Sequence, residues 1–584
     1  MNDIHSLDKV FYPSPEDQAL IYAARDFMLD PSPSKLGRLD QWGLGSEYDI
    51  YAEIAAYREL EITMRDGTSI GAALSTPRNL AAGQTCPVII MPAPLSPLGW
   101  ASYIGMFRHW AMGGYMCLAY SQRGLVGPIV KKNDEYIPVG PQSTGKIQVA
   151  GPLDWSDGTE IINYLVGLEG ADPGRIGCFG ASYGAGTSFL LAAHDQRVKA
   201  VSGASAWTDL FLSLYENNTR HIWALEALVA LFSAGRELEE SCSEEFRDII
   251  NKVRGNHDLD DVEAFARVRS PSTYLNTYNA NRLPMLMTTS WHETIFSVPG
   301  VVDFYRSLQA PKSLLIQIGD HGNSELPGLL GLPAKPTSMT YRWMDHYLGG
   351  HSGDGRPPGF GVRSESMHNL LSEIRHDTWE SYSLPAKEFC LGDAVAGKPD
   401  GRMIPEAPQP GWTRSLRAGT DTEAIVAPAL VQTGVQERLG LPHLYNTAGI
   451  DREHAWVWNS APLEQAMRVQ GELRMRITVK AEAETATIVA YLFDYNPLTR
   501  RAFIITNAPY TFLNKEPGET KTVTFNLQPA HYVLMSGHQL QLIIDTEDKF
   551  FAVATVNDTT LEASSPTGSH SYISIPLHEL PKDE

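Results

Sequence analysis

The chain has 584 residues, 43% hydrophobic and 20% charged, with a formal net charge of −21. That length is too great for one hydrophobic core and predicts several domains of an ordinary soluble protein. The acidic excess argues against nucleic acid or an anionic membrane surface as a partner.

Five cysteines (Cys86, Cys117, Cys178, Cys242, Cys390) show no C-x-x-C spacing, and three lie in apolar strand-like runs. Buried free thiols are expected, with no disulfide or zinc site. The first residues carry no basic segment followed by an apolar run, and no later run is long enough to cross a bilayer. A cytoplasmic protein is the expectation.

Residues 1–58 read as a helical lead-in. Pro13, Ser14, Pro15, Glu16 and Asp17 start a helix over Ala19–Met28, and Pro31-Ser32-Pro33-Ser34 breaks it. From Arg58 the pattern is strand-like. Leu60, Ile62 and Met64 alternate with polar neighbours and reach a D-G turn at Asp66-Gly67, followed by Ile70–Leu74. Cys86–Met91 and Tyr115–Tyr120 are apolar runs suited to buried strands, and Phe107–Met112 and Asp154–Val166 read as helices. Strands alternating with helices predict an α/β fold with a doubly wound, mostly parallel sheet over 59–205 and 279–350.

Between 206 and 278 the strand pattern stops. Leu210–Tyr215, His221–Phe232, Glu237–Val253 and Asp260–Ala266 carry apolar residues at helical spacing. This predicts a helical cap over the site. Strand character resumes at Pro284–Thr289 and Ser313–Ile318. The Gly/Asp/Pro-rich segment after Gly350 predicts a linker over 351–370, and the short alternating strands beyond it an antiparallel β-sandwich over 371–584.

The chemistry centres on Arg175–Gly186. A short apolar strand (Ile176, Cys178, Phe179) enters Gly180-Ala181-Ser182-Tyr183-Gly184, and a helix of small and apolar residues follows. This is G-x-S-x-G in the strand–turn–helix setting of a nucleophile elbow. Glycines two residues either side of the serine remove side chains that would collide in the sharp turn.

A serine hydroxyl needs a base, and a histidine base needs an acid to orient it. Two later strands open into suitable loops: Pro284–Thr289 into Ser290-Trp291-His292-Glu293, and Ser313–Ile318 into Gly319-Asp320-His321. Glu293 and His321 are therefore the expected acid and base, with Asp303 and Asp320 as competing acids. With seventeen histidines in the chain, position after a strand is what separates His321 from the others.

These motifs resemble those of the cocaine esterase and X-prolyl dipeptidyl-peptidase group, the CocE/NonD hydrolases. The resemblance rests on Met64-Arg65-Asp66-Gly67, Gln122-Arg123-Gly124, Asp154-Trp155-Ser156-Asp157-Gly158, Gly180-Ala181-Ser182-Tyr183, Trp291-His292-Glu293, His321 and Trp343–Leu348. In the last region it rests on Leu527–His531 and Ser536–Leu540. It implies a catalytic α/β-hydrolase domain, a helical cap and a C-terminal jelly roll.

Relatives with a Pro-Tyr pair after the first catalytic strand use that tyrosine as an oxyanion donor, whereas this loop reads Met91-Pro92-Ala93-Pro94-Leu95-Ser96-Pro97. One donor should be the Tyr183 amide. The second is left to the amides of Ala93, Leu95 or Ser96, or to the Ser96 hydroxyl, since prolines have no N–H. Trp291 and His292 on the acid loop, and Trp223 with its apolar cap neighbours, are candidate substrate contacts or simply core.

The expected activity is cleavage of an ester, lactone, thioester or amide through a Ser182 acyl-enzyme. The alternatives are an acyltransferase or cyclase using the same intermediate, an X-prolyl dipeptidyl-peptidase, or a retired hydrolase kept as a binding protein. The implied partner is a small-molecule acyl substrate. No metal or organic cofactor motif is present, and the sequence leaves oligomeric state open, a homo-oligomer included.

Overall fold

The structure, a computed structural model, describes residues 14–132, 135–233, 237–350, 359–394, 397–429 and 431–580. Ten strands make one sheet: β1 (Ala55–Thr63), β2 (Ser69–Pro77), β3 (Cys86–Pro92), β4 (Met116–Tyr120), β5 (Ala171–Ala181), β6 (Val198–Ala204), β7 (Met285–Ser290), β8 (Lys312–Gln317), β9 (Gly361–Ser366) and β10 (Asn369–His376). Their spatial order is β1-β2-β4-β3-β5-β6-β7-β8-β9-β10. From β4 to β9 every pairing is parallel, and only the two edges are antiparallel. Every residue of β3 and β7 is buried. Parallel strands covered by helices on both faces need such unbroken apolar runs.

The expected D-G turn closes the β1–β2 hairpin, which pairs Ile62 with Ile70 and holds Gly67 at φ +85°. The turn is also an anchor. Arg123 grips Asp157 with two hydrogen bonds of 2.6 and 2.7 Å and reaches Asp66 at 2.9 Å. Three motif residues distant in sequence thus tie the hairpin, the loop after β4 and the helix Pro152–Val166 together.

The lead-in contributes the helix Pro15–Leu29, started by Ser14 and Asp17 bonding reciprocally across the first turn. The first sheet strand begins at Ala55, inside the stretch read as lead-in. Between β6 and β7 lie the cap helices Leu210–Leu214, Ile222–Ser233, Leu238–Ser241, Glu244–Gly255 and Leu259–Val268. The helix expected over Glu237–Val253 is two, because the Ser243 hydroxyl accepts the Phe246 amide and starts a new one.

The linker expected over 351–370 is corrected by the structure. Residues 351–358 lie outside the described residues, but β9 and β10 complete the catalytic sheet, so the β-rich domain begins after His376 rather than at 371. That domain holds an eleven-stranded and a three-stranded sheet. The pairing is antiparallel except where Gly401 and Arg402 run beside Trp458 and Asn459. All five cysteines are buried and none forms a disulfide among the described residues, and no described helix is long and apolar enough to cross a membrane.

The side chains of Arg123 and Asp157 are only 6% and 3% exposed. Arg123→Met leaves a carboxylate buried without its partner, a change worth about 3–5 kcal/mol. We expect the first urea-unfolding transition to fall accordingly; a midpoint within error of the wild type would refute the anchoring role.

Candidate active site

The loops after β3, β5, β7 and β8 converge at the C-terminal edge of the parallel strands, where ligands of such sheets bind. Ser182 follows β5 with φ 53° and ψ −119°, a conformation that L-residues avoid. Close packing holds it there. A Cβ on Gly180 would lie 2.1 Å from the Gly184 carbonyl carbon, and one on Gly184 would lie 2.0 Å from the Pro92 oxygen. Tyr103 braces the turn from below, its hydroxyl accepting the Ala181 amide at 3.0 Å and donating to the Pro92 carbonyl at 2.9 Å.

The structure brings the three expected catalytic side chains together. Ser182 Oγ is 2.8 Å from His321 Nε2, and His321 Nδ1 is 2.8 Å from Glu293 Oε1. The same Glu293 oxygen accepts the amides of Ile295 and Phe296 at 3.0 and 3.2 Å. Burial works against a charged imidazole, but the Glu293 carboxylate, joined by Glu325 and Asp320, more than offsets it and raises the pKa of His321.

Asp320, the competing acid beside His321, is turned away from the imidazole. It accepts the Thr294 amide at 2.7 Å, the Thr294 hydroxyl at 2.8 Å, the His321 amide at 2.6 Å and the Val431 amide at 3.1 Å. Burial and the Glu293 charge push its pKa up to about 7 against the pull of these donors. Asp303, the other competitor, lies on the helix Val298–Ser307 beside the exposed Arg306.

Of the four expected oxyanion residues, Tyr183 and Leu95 have a free amide here, and the Ser96 hydroxyl accepts the Leu98 amide at 3.2 Å. Tyr183 opens the helix Tyr183–His194, so its N–H has no partner within it. The Leu95 N–H makes no hydrogen bond among the described residues. Ala93 is corrected: sheet pairing commits its amide to the Tyr120 carbonyl at 2.8 Å, and its own carbonyl accepts Gln122. The Tyr183 hydroxyl points away from the reaction, accepting the Ala150 amide and donating to Asp154.

The three expected substrate contacts lie elsewhere. Trp291 is core, its indole N–H donating to the Glu365 carbonyl at 2.8 Å. His292 faces backwards and pairs with Glu437 at 2.7 Å. Trp223 points off the cap helix towards Phe550 and Lys549. The same helix instead turns Leu225, Leu228 and Phe232 to the site, at three- and four-residue spacing.

Two cavities meet at Ser182. One, of about 40 Å³, is walled by apolar side chains, among them Leu210, Leu225, Leu228, Phe232, Phe265 and Phe296. The other, of about 280 Å³, is lined in part by Asp17, Ser96, Ser102, His321, Glu325 and Val431. Ser102 and Glu325 carry no sequence motif and escape a reading by pattern. So does the helix Gln432–Arg438 of the β-rich domain, whose Arg438 reaches the Ile318 carbonyl at 3.3 Å and whose Glu437 also meets His368 at 3.3 Å.

Comparison with known proteins agrees with this build. Residues 66–323 match the family model for X-Pro dipeptidyl-peptidase (S15 family), and residues 373–572 that for the X-Pro dipeptidyl-peptidase C-terminal non-catalytic domain. A Mycobacterium bovis protein named as a serine esterase is 20% identical over 84% of this chain and 90% of its own. An acyltransferase of Aspergillus calidoustus is 24% identical, over 27% of this chain and 58% of its own. Among solved structures, an α-amino acid ester hydrolase superposes with TM-score 0.65 at 15% identity, covering 90% of this chain and 97% of that one. A CocE/NonD family hydrolase from Staphylococcus aureus gives 0.63 at 12% identity, covering 90% and 94%. At these identities the solved structures speak for the fold.

His321 must be neutral to take the serine proton, so kcat/KM should fall as pH drops through a midpoint above 6.5, the ordinary imidazole value. Glu293→Gln removes the largest of the charges that raise His321 and leaves only the more distant Glu325 and Asp320 to oppose burial. Its midpoint should move to lower pH, while kcat drops by about 10⁴-fold. A pH–rate profile whose acid limb stays in place would contradict this assignment.

Proposed function

We propose that this chain, which matches the S15-family models over residues 66–323 and 373–572, is a serine hydrolase that cleaves esters or amides of a short apolar acyl group. Ser182 attacks the carbonyl as its proton passes to His321 Nε2. Glu293 accepts the Nδ1–H hydrogen bond and stabilises the imidazolium, and the Tyr183 and Leu95 amides meet the oxyanion. The same Nε2–H then protonates the leaving group, and a water activated by His321 releases the acid.

The observation that carries the assignment of the two cavities is that His321 lines only the larger one. A leaving group has to lie where the general acid can protonate it, so the large cavity takes the leaving group. The acyl chain then falls to the apolar pocket beneath the cap. At about 40 Å³ that pocket admits roughly three water-sized groups, enough for an acyl chain of about two to four carbons.

A second outcome is acyl transfer, since the large cavity has room for an acceptor alcohol once the first leaving group departs. Product analysis with and without added alcohol separates the two, and exclusive hydrolysis at high alcohol would dismiss transfer.

A fluorophosphonate probe is expected to label the wild type and not Ser182→Ala. In a p-nitrophenyl ester series, kcat/KM should peak at acetate to butyrate and fall at least about tenfold by octanoate, with Phe232→Ala moving the optimum to longer chains. Rates that rise steadily with chain length would overturn the pocket assignment.

A further inference from the structure

The wall of the large cavity contains two buried oxygens that the fold leaves without a partner. Ser102 Oγ and Glu325 Oε1 make no hydrogen bond among the described residues. Their residues are 5% and 2% exposed, and both line the cavity that opens onto Ser182 and His321. They come from two different segments, Ser102 from the turn Gly99–Tyr103 after β3 and Glu325 from the stretch following the catalytic histidine. Buried polar atoms are nearly always paired, because an unpaired one forfeits its hydration for nothing. Two such atoms on one cavity mark where a ligand's donors complete the set.

The charge of the wall narrows the ligand. Among the described residues lining this cavity there is no lysine or arginine, and the titratable groups are Asp17, His321 and Glu325. Asp17 is turned to Ser14, accepting its amide and hydroxyl. Burial raises the pKa of Glu325 and its side chain already accepts the Ser205 hydroxyl, but its Oε1 is left to meet a donor from the substrate. An anionic leaving group would find no counter-charge here, and a cationic one would find Glu325.

We propose that the leaving group released by this enzyme carries a protonated amine, bound by Glu325 with Ser102 as a second acceptor. The substrate class is then a short-chain ester of an amino alcohol, or the matching amide. This rests on the serine-hydrolase reading above and extends it to the leaving group. In the reaction the ester C–O bond breaks as the Ser182 ester forms. His321 gives its proton to the departing oxygen, and the ammonium keeps its own proton throughout.

The test compares two esters of the same shape that differ in charge, 2-(dimethylamino)ethyl butyrate and 3-methylbutyl butyrate, at pH 7. The wild type should favour the cationic ester in kcat/KM by at least tenfold. Glu325→Gln should bring that ratio close to one, whatever happens to the absolute rates, because the neutral ester corrects for general damage to the site. Ser102→Ala should lower the ratio by a smaller factor. A wild-type ratio near one, or a ratio unchanged in Glu325→Gln, overturns the proposal. A second measurement does not need turnover. In the wild type, 2-(dimethylamino)ethanol should slow fluorophosphonate labelling of Ser182 more than 3-methylbutanol does, and equal protection also overturns the proposal. If the folded wild type takes no fluorophosphonate label at all, the serine-hydrolase reading fails, and this inference with it.

Discussion

Asp320 collects hydrogen bonds from three stretches of chain that would otherwise be free to separate. One is the acid loop through Thr294, another the base loop through the His321 amide, and the third the β-rich domain through Val431. Each donor points at a carboxyl group that is 1% exposed, so loss of any one would leave buried polarity unmatched. The triad distances depend on this junction. Glu293 and Thr294 are adjacent, and so are Asp320 and His321, so fixing Thr294 to Asp320 fixes the acid against the base. A residue without a place in the proton relay thus sets its geometry.

The nucleophile is held by a different device, steric rather than polar. Ser182 keeps a backbone conformation that costs free energy in isolation, and Gly180, Gly184 and the Tyr103 hydroxyl leave it no alternative. The elbow also divides the space around it. Leu95 and Leu228 border both cavities, so the oxyanion loop and the cap together separate an almost wholly apolar pocket from one that adds Ser102, His321 and Glu325 to a mostly apolar wall. Two environments a few ångströms apart give the two halves of a substrate different solvents, which is how a small site gains selectivity.

What could be read in the sequence was what is encoded locally or by order along the chain. The elbow was legible because a strand, G-x-S-x-G and a helix lie within one short stretch. Glu293 and His321 were legible because each follows an apolar strand in the expected order. Ala93 and Leu95 could not be told apart, since only the pairing of Ala93 with Tyr120 decides between them. β9 was missed because Gly361–Ser366 is polar and yet wholly buried. Arg363 pairs with Glu373, Ser364 with His531 and Tyr382, and Glu365 with Lys335, all partners supplied by the tertiary fold. Trp223 misled because aromatic character says nothing about which side of a helix meets the substrate. Glu325 and Ser102 went unseen because an unpaired oxygen is a property of the packed structure.

The short helix Gln432–Arg438 carries one more implication, and it concerns time. The donor from Val431, the Glu437 carboxylate that holds His292, and the Arg438 contacts to the base loop all come from residues made more than a hundred positions after His321. A ribosome that has released His321 has made every reacting atom and none of these braces. The nascent chain therefore carries its nucleophile, acid and base, with Thr294 and Asp320 already made beside them, through a long interval of synthesis before the braces from the β-rich domain exist.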